Sequence, residues 1–467
     1  MLYSKFRMPL ERRKVNHWLI GLTQLASNIG YYGGRPPEAR ETNCVVLGMP
    51  FFGSRREAGA GLSSQGTFAA SLRRGTWLTA ERIRLYCLVI LIASILEVPL
   101  LFAVNSHTPF GVDFVVTWAA DHAAVGGADF YDENLTLATD QAATGLPDFF
   151  PFPYPPTYAL VTAPLGNLPY HVALAIWMIA GLACFAGTML LLTEGQGVLP
   201  ILAFPAVIIN IVNGQNGLVF ASLFAGALGL LKRRPIIAGV LIGLLSTKPH
   251  LGILIPFALV GAKEWRTFIA AAVTVTALIL ISILVFGTAP WLEFFKLTEI
   301  YRSQLLVAHN PILAKLVTVF ATTLRLCLGT VIAYGAQLAA LIGSAAFVFL
   351  VWRSDASDRI KHAALIFAAL LSTPYLFDYD LAVLGIGIAA ISAVGLEEGF
   401  LSWETLMLVG LWILPGLARP VTMVSNVPIV PLLVLAGMAF LVARMRQPLV
   451  KARMSAGADT REQLRDR

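Results

Sequence analysis

Charged residues are scarce in this chain: they make up only 13% of its 467 residues, whereas 57% are hydrophobic. Soluble domains carry roughly 25% charged residues. The mean hydropathy of this chain, +0.73, is also too high for a soluble domain. Apolar runs of about 15 to 25 residues recur from Leu85 to Val442, and runs of this length form helices that cross a bilayer. The composition therefore excludes a soluble globule and predicts an all-α polytopic membrane protein.

Cysteine and the common catalytic motifs are also scarce or missing. The four cysteines, Cys44, Cys87, Cys184 and Cys327, form no CxxC pair and no Cys/His spacing typical of a metal site. Cys87 and Cys184 lie in apolar runs, where cysteine is usually a small buried hydrophobe. The sequence contains no Walker, HExxH or GxSxG motif and no Rossmann glycine pattern at a strand–helix junction. We therefore expect no metal, no cofactor and no soluble nucleotide site, so an enzyme here needs a donor delivered by the membrane.

The net charge of +7 comes largely from the N-terminal segment, short turns and the C-terminal tail. This distribution favours a positive-inside bias over nucleic-acid binding. The basic clusters at 232–234, 263–266, 353–361 and 444–451 all fall on one side of the membrane when the predicted helices are counted. That side is expected to be cytoplasmic, with both termini inside and contacts to membrane lipids but not to nucleic acid.

Three regions follow from the distribution of apolar residues. Residues 1–82 are rich in Arg, Gly and Ser and contain no run that could span a bilayer, so we expect a basic cytoplasmic extension that is largely disordered. A later translation start is an open alternative, because nothing in the rest of the chain requires this segment. Residues 83–445 form the membrane domain, and residues 446–467 form a charged cytoplasmic tail.

The apolar runs predict about twelve transmembrane helices. They lie near 85–104, 171–192, 199–212, 217–231, 235–247, 250–261, 267–286, 329–351, 362–377, 381–396, 403–418 and 428–444. Loops 105–170 and 287–328 are then external. Each contains a segment with the apolar spacing of a short amphipathic helix, from Val112 to Ala124 and from Leu313 to Leu324.

Two of the predicted helices, 235–247 and 250–261, are too short to cross a bilayer and flank a Ser-Thr-Lys-Pro-His segment at 246–250. Irregular backbone at membrane depth is tolerated only where it is buried or lines a wet cavity. An ionisable residue at that depth is costly, so Lys248 is a functional candidate that suits a phosphate ligand. The alternative is that Lys248 extends to the headgroups.

Asp113 follows the first predicted helix by about nine residues and should lie near the outer membrane surface. The residues that follow it, from Phe114 to Trp118, are mostly apolar. A carboxylate partly removed from water accepts a proton more readily, as a general base must. The alternative is that Asp113 caps a helix N-terminus, which aspartate does often.

Other polar residues are weaker candidates. Asp121, Asp129 and Asp132 suit a solvated helix face or loop ends as well as they suit chemistry. Gln215 and Asn216 lie in a tight Asn-Gly-Gln-Asn-Gly turn, where they could contact sugar hydroxyls. Further candidates for substrate contacts are Tyr154, His250, Arg302, His309 and Asn310. The segment 375–380, with two carboxylates among aromatic rings, suits carbohydrate or an interfacial belt.

Several short motifs follow one another in a set order. They are Gly-Val-Asp-Phe at 111–114, Tyr-Pro-Pro at 154–156, Asn-Gly-Gln-Asn-Gly at 213–217, Arg-Pro-Ile-Ile-Ala-Gly at 234–239, Thr-Lys-Pro-His at 247–250, His-Asn-Pro at 309–311 and Ser-Thr-Pro-Tyr at 372–375. This order, over roughly residues 85 to 445, resembles glycosyltransferase family 87, a group of polyprenyl-phosphate-dependent enzymes of GT-C architecture. The N-terminal extension is not a feature that the family requires.

The resemblance implies an inverting transfer of a hexose, usually mannose, from a polyprenyl-phosphate sugar donor to a lipid or glycan acceptor. It implies the bacterial inner membrane, with the active site facing the periplasm. Asp113 falls on the family's general base and Lys248 on a lysine that holds the lipid phosphate, while His309 occupies a loop position near the donor. The alternative function is a transporter or flippase of a lipid-linked sugar, which predicts paired broken helices in both halves of the chain.

Overall fold

The structure is a computed structural model that describes residues 62–104, 111–145, 151–305 and 312–446. Throughout these ranges the chain is helical, and its one extended pairing is an isolated antiparallel bridge between Leu316 and Phe377. The prediction of an all-α membrane protein is confirmed.

The helices in the first half of the described chain are α1 (Leu62–Arg74), α2 (Ala80–Val104), α3 (Val112–Val125), α4 (Glu133–Thr144), α5 (Pro156–Thr162), α6 (Tyr170–Leu192), α7 (Val198–Leu202), α8 (Pro205–Asn213), α9 (Gly217–Leu230), α10 (Pro235–Leu245), α11 (Pro249–Gly252) and α12 (Ile255–Gly261). The second half contains α13 (Trp265–Phe286), α14 (Ala289–Leu305), α15 (Ile312–Lys315), α16 (Val319–Arg325), α17 (Thr330–Arg353), α18 (Asp358–Ser372), α19 (Leu384–Glu398), α20 (Glu404–Ser425) and α21 (430–446). Two 3-10 helices, Ala163–Asn167 and Asp378–Val383, join neighbouring elements.

Among the described residues, five helical segments are long and apolar enough to cross a membrane: 170–192, 265–286, 330–353, 378–398 and 404–425. Helices also occupy the other predicted ranges within the described residues, but these helices are not counted among the five candidate spans. Twelve crossings therefore remain a prediction. Their exposed faces are apolar because they meet lipid. Cys87 is buried as expected, but Cys184 lies on an exposed face of α6, so the predicted burial of Cys184 is wrong.

The boundary predicted at residue 82 needs correction. Residues 1–61 lie outside the described part of the chain, but residues 62–74 form α1, and the turn after it packs against the start of α20. The Trp403 amide donates to the Arg73 carbonyl at 2.8 Å. A Cβ on Gly75 would lie 2.3 Å from the Thr405 hydroxyl, so the turn and the helix are in close contact. Local packing therefore orders a segment whose average composition predicted disorder.

A second correction concerns the external segment from Leu313 to Leu324, where one amphipathic helix was predicted. The segment forms two short helices, α15 and α16, which are separated by extended residues around the Leu316 bridge. Leu313, Leu316 and Phe320 are buried. The apolar residues pack against the protein, so their periodicity reflected a protein core and not the membrane surface. The helix predicted from Val112 to Ala124 is confirmed as α3.

One end of the bundle, which we term the basic end, gathers the charged turns between helices. Its ion pairs are Lys232–Glu264, Arg359–Glu194, Arg359–Glu397 and Arg444–Glu404. The first pair joins the clusters at 232–234 and 263–266, whereas Arg359 and Arg444 pair with the adjacent residues Glu397 and Glu398, so the described residues of the predicted basic clusters meet in two groups. The opposite end, termed the site end, carries the turns at 213–217, 246–248 and 373–377.

The turn at Lys248 is recessed from the surface of the site end. Helix α10 has 11 residues and rises about 16 Å. Its neighbour α13 has 22 residues and rises about 33 Å from the same end of the bundle. Gly239 and Gly243 allow the two helices to approach closely, because a Cβ there would lie 2.5 and 2.4 Å from Ala270 and Thr274. The short helix therefore ends part of the way along its longer neighbour.

Gly217, the first residue of α9, is a point of close approach between distant parts of the chain. A Cβ at this position would lie 2.4 Å from the Tyr379 carbonyl oxygen and 2.6 Å from Oδ1 of Asn210. Asn210, which is fully buried, also donates to the Tyr379 carbonyl at 2.9 Å. Only a residue without a side chain fits between α9 and the segment that carries Tyr379.

We therefore expect Gly217→Ala to destabilise the protein by about 1–3 kcal/mol, because overpacking must displace a backbone carbonyl. The measurement is the thermal unfolding midpoint of the purified protein in detergent. Gly410→Ala is the matched control, since a Cβ on Gly410 in α20 meets no atom within 4 Å. Equal midpoints for the two variants would contradict this account of the contact.

Candidate functional site

Two turns meet at the site end through glycines that adopt left-handed backbone. Gly111 has φ 71° and Gly214 has φ 70°, a conformation that favours glycine. The Gly111 amide donates to the Val212 carbonyl at 3.1 Å, and a Cβ on Gly214 would lie 2.8 Å from Cβ of Phe114. This approach brings the start of α3 against the 213–217 turn.

Asp113 lies at this junction, half-buried, in the first turn of α3. Its Oδ2 accepts a hydrogen bond of 2.7 Å from Nε2 of Gln215, a residue 102 positions away in the sequence. The N-cap of α3 is Gly111, so the alternative that Asp113 itself caps the helix is wrong. Phe114 and Val115 are buried beside it, as the apolar neighbours predicted. The carboxylate is therefore oriented by Gln215 and anchored by a packed helix.

Asn216 connects this junction to the buried polar residues below it. Its Nδ2 donates to the hydroxyl of Tyr154 at 2.8 Å and to that of Tyr158 at 3.2 Å, and its Oδ1 accepts from Lys248 at 2.9 Å. The two tyrosine rings stack with centroids 4.1 Å apart. Burial raises the pKa of Tyr154 and of Tyr158 well above the usual range, so both hydroxyls keep their protons.

Lys248 is 3% exposed and forms an ion pair with Asp380, which is fully buried. Its Nζ lies 4.9 Å from the ring centroid of Tyr379 and 5.4 Å from that of Phe220. A lysine in this position does not extend to the headgroups, so that alternative is wrong. Phosphate contact stays a prediction, and a ligand must share the ammonium group with Asp380.

His250 lies two residues beyond Lys248, at the partly exposed edge of the same cluster. Its Nε2 is 3.7 Å from Oδ2 of Asp380, just beyond hydrogen-bond distance. Its ring meets that of Tyr375 edge-on at 6.0 Å. The predicted substrate residues Tyr154, Gln215, Asn216, Lys248 and His250 therefore form one continuous cluster with Asp113, which we term the site cluster.

Asp380 and Tyr158 are site residues that the sequence analysis missed. The segment 375–380 was noted for its carboxylates and rings, but not as the counter-charge of Lys248. A lysine at membrane depth needs a buried anion, and this requirement was the available signal. The neighbouring Asp378 accepts from Nε of Arg419 at 2.8 Å, so both carboxylates of the segment are paired with cations.

Of the remaining predicted substrate residues, Arg302 is not part of the site cluster. Arg302 lies on α14, where it is exposed and binds Glu299 at 2.8 Å and the Tyr334 hydroxyl at 3.4 Å. His309 and Asn310 lie outside the described residues. Among the described residues, no three His, Cys, Asp or Glu side chains converge on a position that could hold a metal ion.

The three weaker aspartates serve the structure of the first loop. Asp132 caps α4 by accepting from the amides of Asn134 and Leu135, at 2.9 and 3.3 Å. Asp129 accepts from the Tyr131 amide at 2.9 Å. Asp121 is fully buried and accepts from the Thr162 hydroxyl at 2.7 Å, so its predicted solvated face is wrong. A close packing of α3 on the Ala163–Asn167 turn buries it.

Burial raises the pKa of Asp121 to about 8 from an ordinary value of 3.8. The folded protein then holds a proton that the unfolded chain releases, so stability falls as pH rises between these values, by at most about 1.4 kcal/mol per pH unit. Burial also raises the pKa of Asp140 to about 7, so this group likewise lowers the stability of the folded protein as pH rises.

We therefore expect the thermal midpoint of the wild type to fall between about pH 5 and pH 8, and Asp121→Asn to remove much of that fall. Asn keeps an oxygen for the Thr162 hydroxyl but does not titrate. Asp129→Asn, at an exposed carboxylate of the same loop, serves as the control and should keep the wild-type slope. An unchanged slope in Asp121→Asn would show that Asp121 is not the titrating group.

Comparisons with known proteins identify the region that contains most of the site cluster. The family model of Glycosyltransferase family 87 matches residues 152–376, a range that includes Tyr154, Asn216 and Lys248 but not Asp113 or Asp380. A polyprenol-phosphate-mannose-dependent alpha-(1-2)-phosphatidylinositol pentamannoside mannosyltransferase of Mycolicibacterium smegmatis is 40% identical over 82 residues. Those residues are 17% of this chain and only 19% of that relative. No solved structure gives a significant match.

Proposed function

We propose that this chain, which matches Glycosyltransferase family 87 over residues 152–376, is a membrane glycosyltransferase that transfers a hexose from a polyprenyl-phosphate donor to a lipid or glycan acceptor. Mannose is the proposed sugar, because the relative from Mycolicibacterium smegmatis is named as dependent on polyprenol-phosphate-mannose. The proposed location is the bacterial inner membrane, with the basic end and both termini in the cytoplasm and the site end facing the periplasm.

Asp113 acts as the general base on the acceptor hydroxyl. The acceptor oxygen attacks the anomeric carbon, its proton passes to Asp113, and the bond between the anomeric carbon and the phosphate oxygen breaks with inversion. Its electron pair leaves with the polyprenyl phosphate. The hydrogen bond from Gln215 to Oδ2 of Asp113 fixes the carboxylate plane, which leaves Oδ1 to accept the proton.

The leaving phosphate is stabilised at the other side of the site cluster. Lys248 supplies an ammonium donor, and the protonated hydroxyls of Tyr154 and Tyr158 supply neutral donors that Asn216 holds in place. His250 forms the partly exposed edge, where the phosphate enters. Arg302 is proposed only as a residue of the external loop that contacts the donor or acceptor at a distance from this cluster, and His309 and Asn310 are proposed as substrate contacts from the sequence alone.

One observation carries the proposal: the candidate base and the candidate phosphate ligand are joined through two consecutive residues. Gln215 binds Asp113, and its neighbour Asn216 binds Lys248. An in-line transfer needs a base for the acceptor hydroxyl and a hydrogen-bond donor for the leaving phosphate, and both must be in place at the same time. Here one short turn connects the two.

A transporter or flippase of a lipid-linked sugar is the second candidate. It predicts interrupted helices in both halves of the chain, and the sequence indicated only the interruption at Lys248. The structure adds irregular residues 373–377 and the 3-10 helix Asp378–Val383, which meet Lys248 through Asp380. The ion pair that joins these two interrupted segments is the observation that favours the transporter alternative.

We expect Asp113→Asn to fold normally and to lose at least about 100-fold of its transfer rate, because general base catalysis contributes that much or more. The measurement is transfer of labelled mannose from polyprenyl-phosphate mannose in proteoliposomes that contain an extract of membrane lipids as acceptor. Asp129→Asn is the matched control, since it makes the same chemical change at an exposed carboxylate of the same loop.

Retained transfer in Asp113→Asn would refute the assignment of the base. Labelled donor that crosses the bilayer in the wild type and in Asp113→Asn, without covalent transfer in either, would favour the transporter.

A further inference from the structure

The surroundings of Lys248 are unusual for a phosphate ligand because an anion of the protein already occupies part of its ammonium group. A lysine ammonium has three N–H donors. One goes to Oδ1 of Asp380 and one to Oδ1 of Asn216, while the aromatic rings of Tyr379 and Phe220 lie within 4.9 and 5.4 Å of Nζ. About one N–H donor of Lys248 remains for a ligand, and the net charge of the Lys248–Asp380 pair is zero.

Asp380 is held rigidly in this role. Its Oδ2 accepts from the Phe377 amide at 3.1 Å, and its own amide donates to the Phe377 carbonyl at 3.0 Å. These two bonds fix the carboxylate at the start of the 3-10 helix Asp378–Val383. Asp380 therefore cannot swing away easily when an anionic ligand approaches Lys248.

A fixed counter-ion has a clear electrostatic consequence for an anionic ligand. A phosphate that approaches Lys248 is attracted by the ammonium and repelled by the carboxylate a few ångströms behind it. Affinity for the phosphate is then lower than an unpaired lysine would give. The donor and the leaving product carry the same phosphate, so a site of very high affinity would retain the product and slow each turnover.

We propose that Asp380 is a positioning residue that limits the affinity of Lys248 for polyprenyl phosphate and so allows the product to leave. The inference rests on the proposed function, since it assumes that the site binds a polyprenyl phosphate. Asp380 acts through Lys248 and does not itself contact the substrate. Asn216 orients the ammonium group, which donates to its Oδ1, and adds no negative charge.

The first test removes the negative charge with an isosteric residue. Asp380→Asn should bind a polyprenyl monophosphate about tenfold more tightly than the wild type, and its kcat should fall while the KM for the donor also falls. Binding is measured in nanodiscs at about pH 6, where a lysine without its counter-ion keeps its proton more readily. Polyprenol without phosphate is the ligand control.

The second test adds a negative charge on the other side of Lys248, and if Asp380→Asn does not fold, unchanged or tighter binding in this second variant overturns the inference. Asn216→Asp is isosteric, and its carboxylate can accept from the hydroxyls of Tyr154 and Tyr158 that Asn216 now donates to. It should bind the polyprenyl monophosphate about tenfold more weakly. A merely structural role for these residues predicts weaker binding in both variants, whereas the proposal predicts opposite signs.

Asp378→Asn is the matched control, because Asp378 lies in the same 3-10 helix and is bound to Arg419 instead of Lys248. Its affinity for polyprenyl monophosphate should stay at the wild-type value. Equal tightening in Asp378→Asn and Asp380→Asn, or no tightening in Asp380→Asn, would overturn the inference while the proposed function stands. A wild type that binds polyprenyl monophosphate no better than polyprenol would overturn the proposed donor and this inference together.

Discussion

The buried ion pair between Lys248 and Asp380 is the interaction on which the site end depends. A charge at membrane depth is stable only beside an opposite charge, and removing one member of a buried pair costs roughly 3–5 kcal/mol. The pair joins residues 132 positions apart and ties the α10–α12 hairpin to the start of α19. It therefore holds the turn at 246–248 against the segment 373–383 at the site end.

Around this pair, close backbone contacts determine which side chains meet. Gly111, Gly214 and Gly217 allow the first loop, the 213–217 turn and the Tyr379 segment to approach within van der Waals contact. As a result, Asp113 from the N-terminal region and Asp380 from the C-terminal region lie on either side of Gln215 and Asn216. The site is thus composite, and the region that matches the family model supplies its middle.

Sequence patterns predicted the helices well because a helix that crosses a bilayer needs an apolar run whose length matches the bilayer thickness. They also led to Asp113, Gln215, Asn216 and Lys248, because a carboxylate among apolar residues and a lysine at membrane depth are locally conspicuous. Partners across the bundle could not be predicted, so Asp380 was missed as a counter-ion and Asp121 was expected at a solvated face. The apolar residues from Leu313 to Leu324 were assigned to the membrane surface, because periodicity alone does not distinguish lipid from protein.

The most direct test of the composite site is the structure of the protein with a non-hydrolysable phosphonate analogue of polyprenyl-phosphate mannose, determined by electron cryomicroscopy. The account predicts a phosphonate oxygen within hydrogen-bond distance of Nζ of Lys248, with the anomeric carbon on the side of the cluster that faces Asp113. A phosphonate bound at the basic end, or at the site end without contact to Lys248, would contradict it.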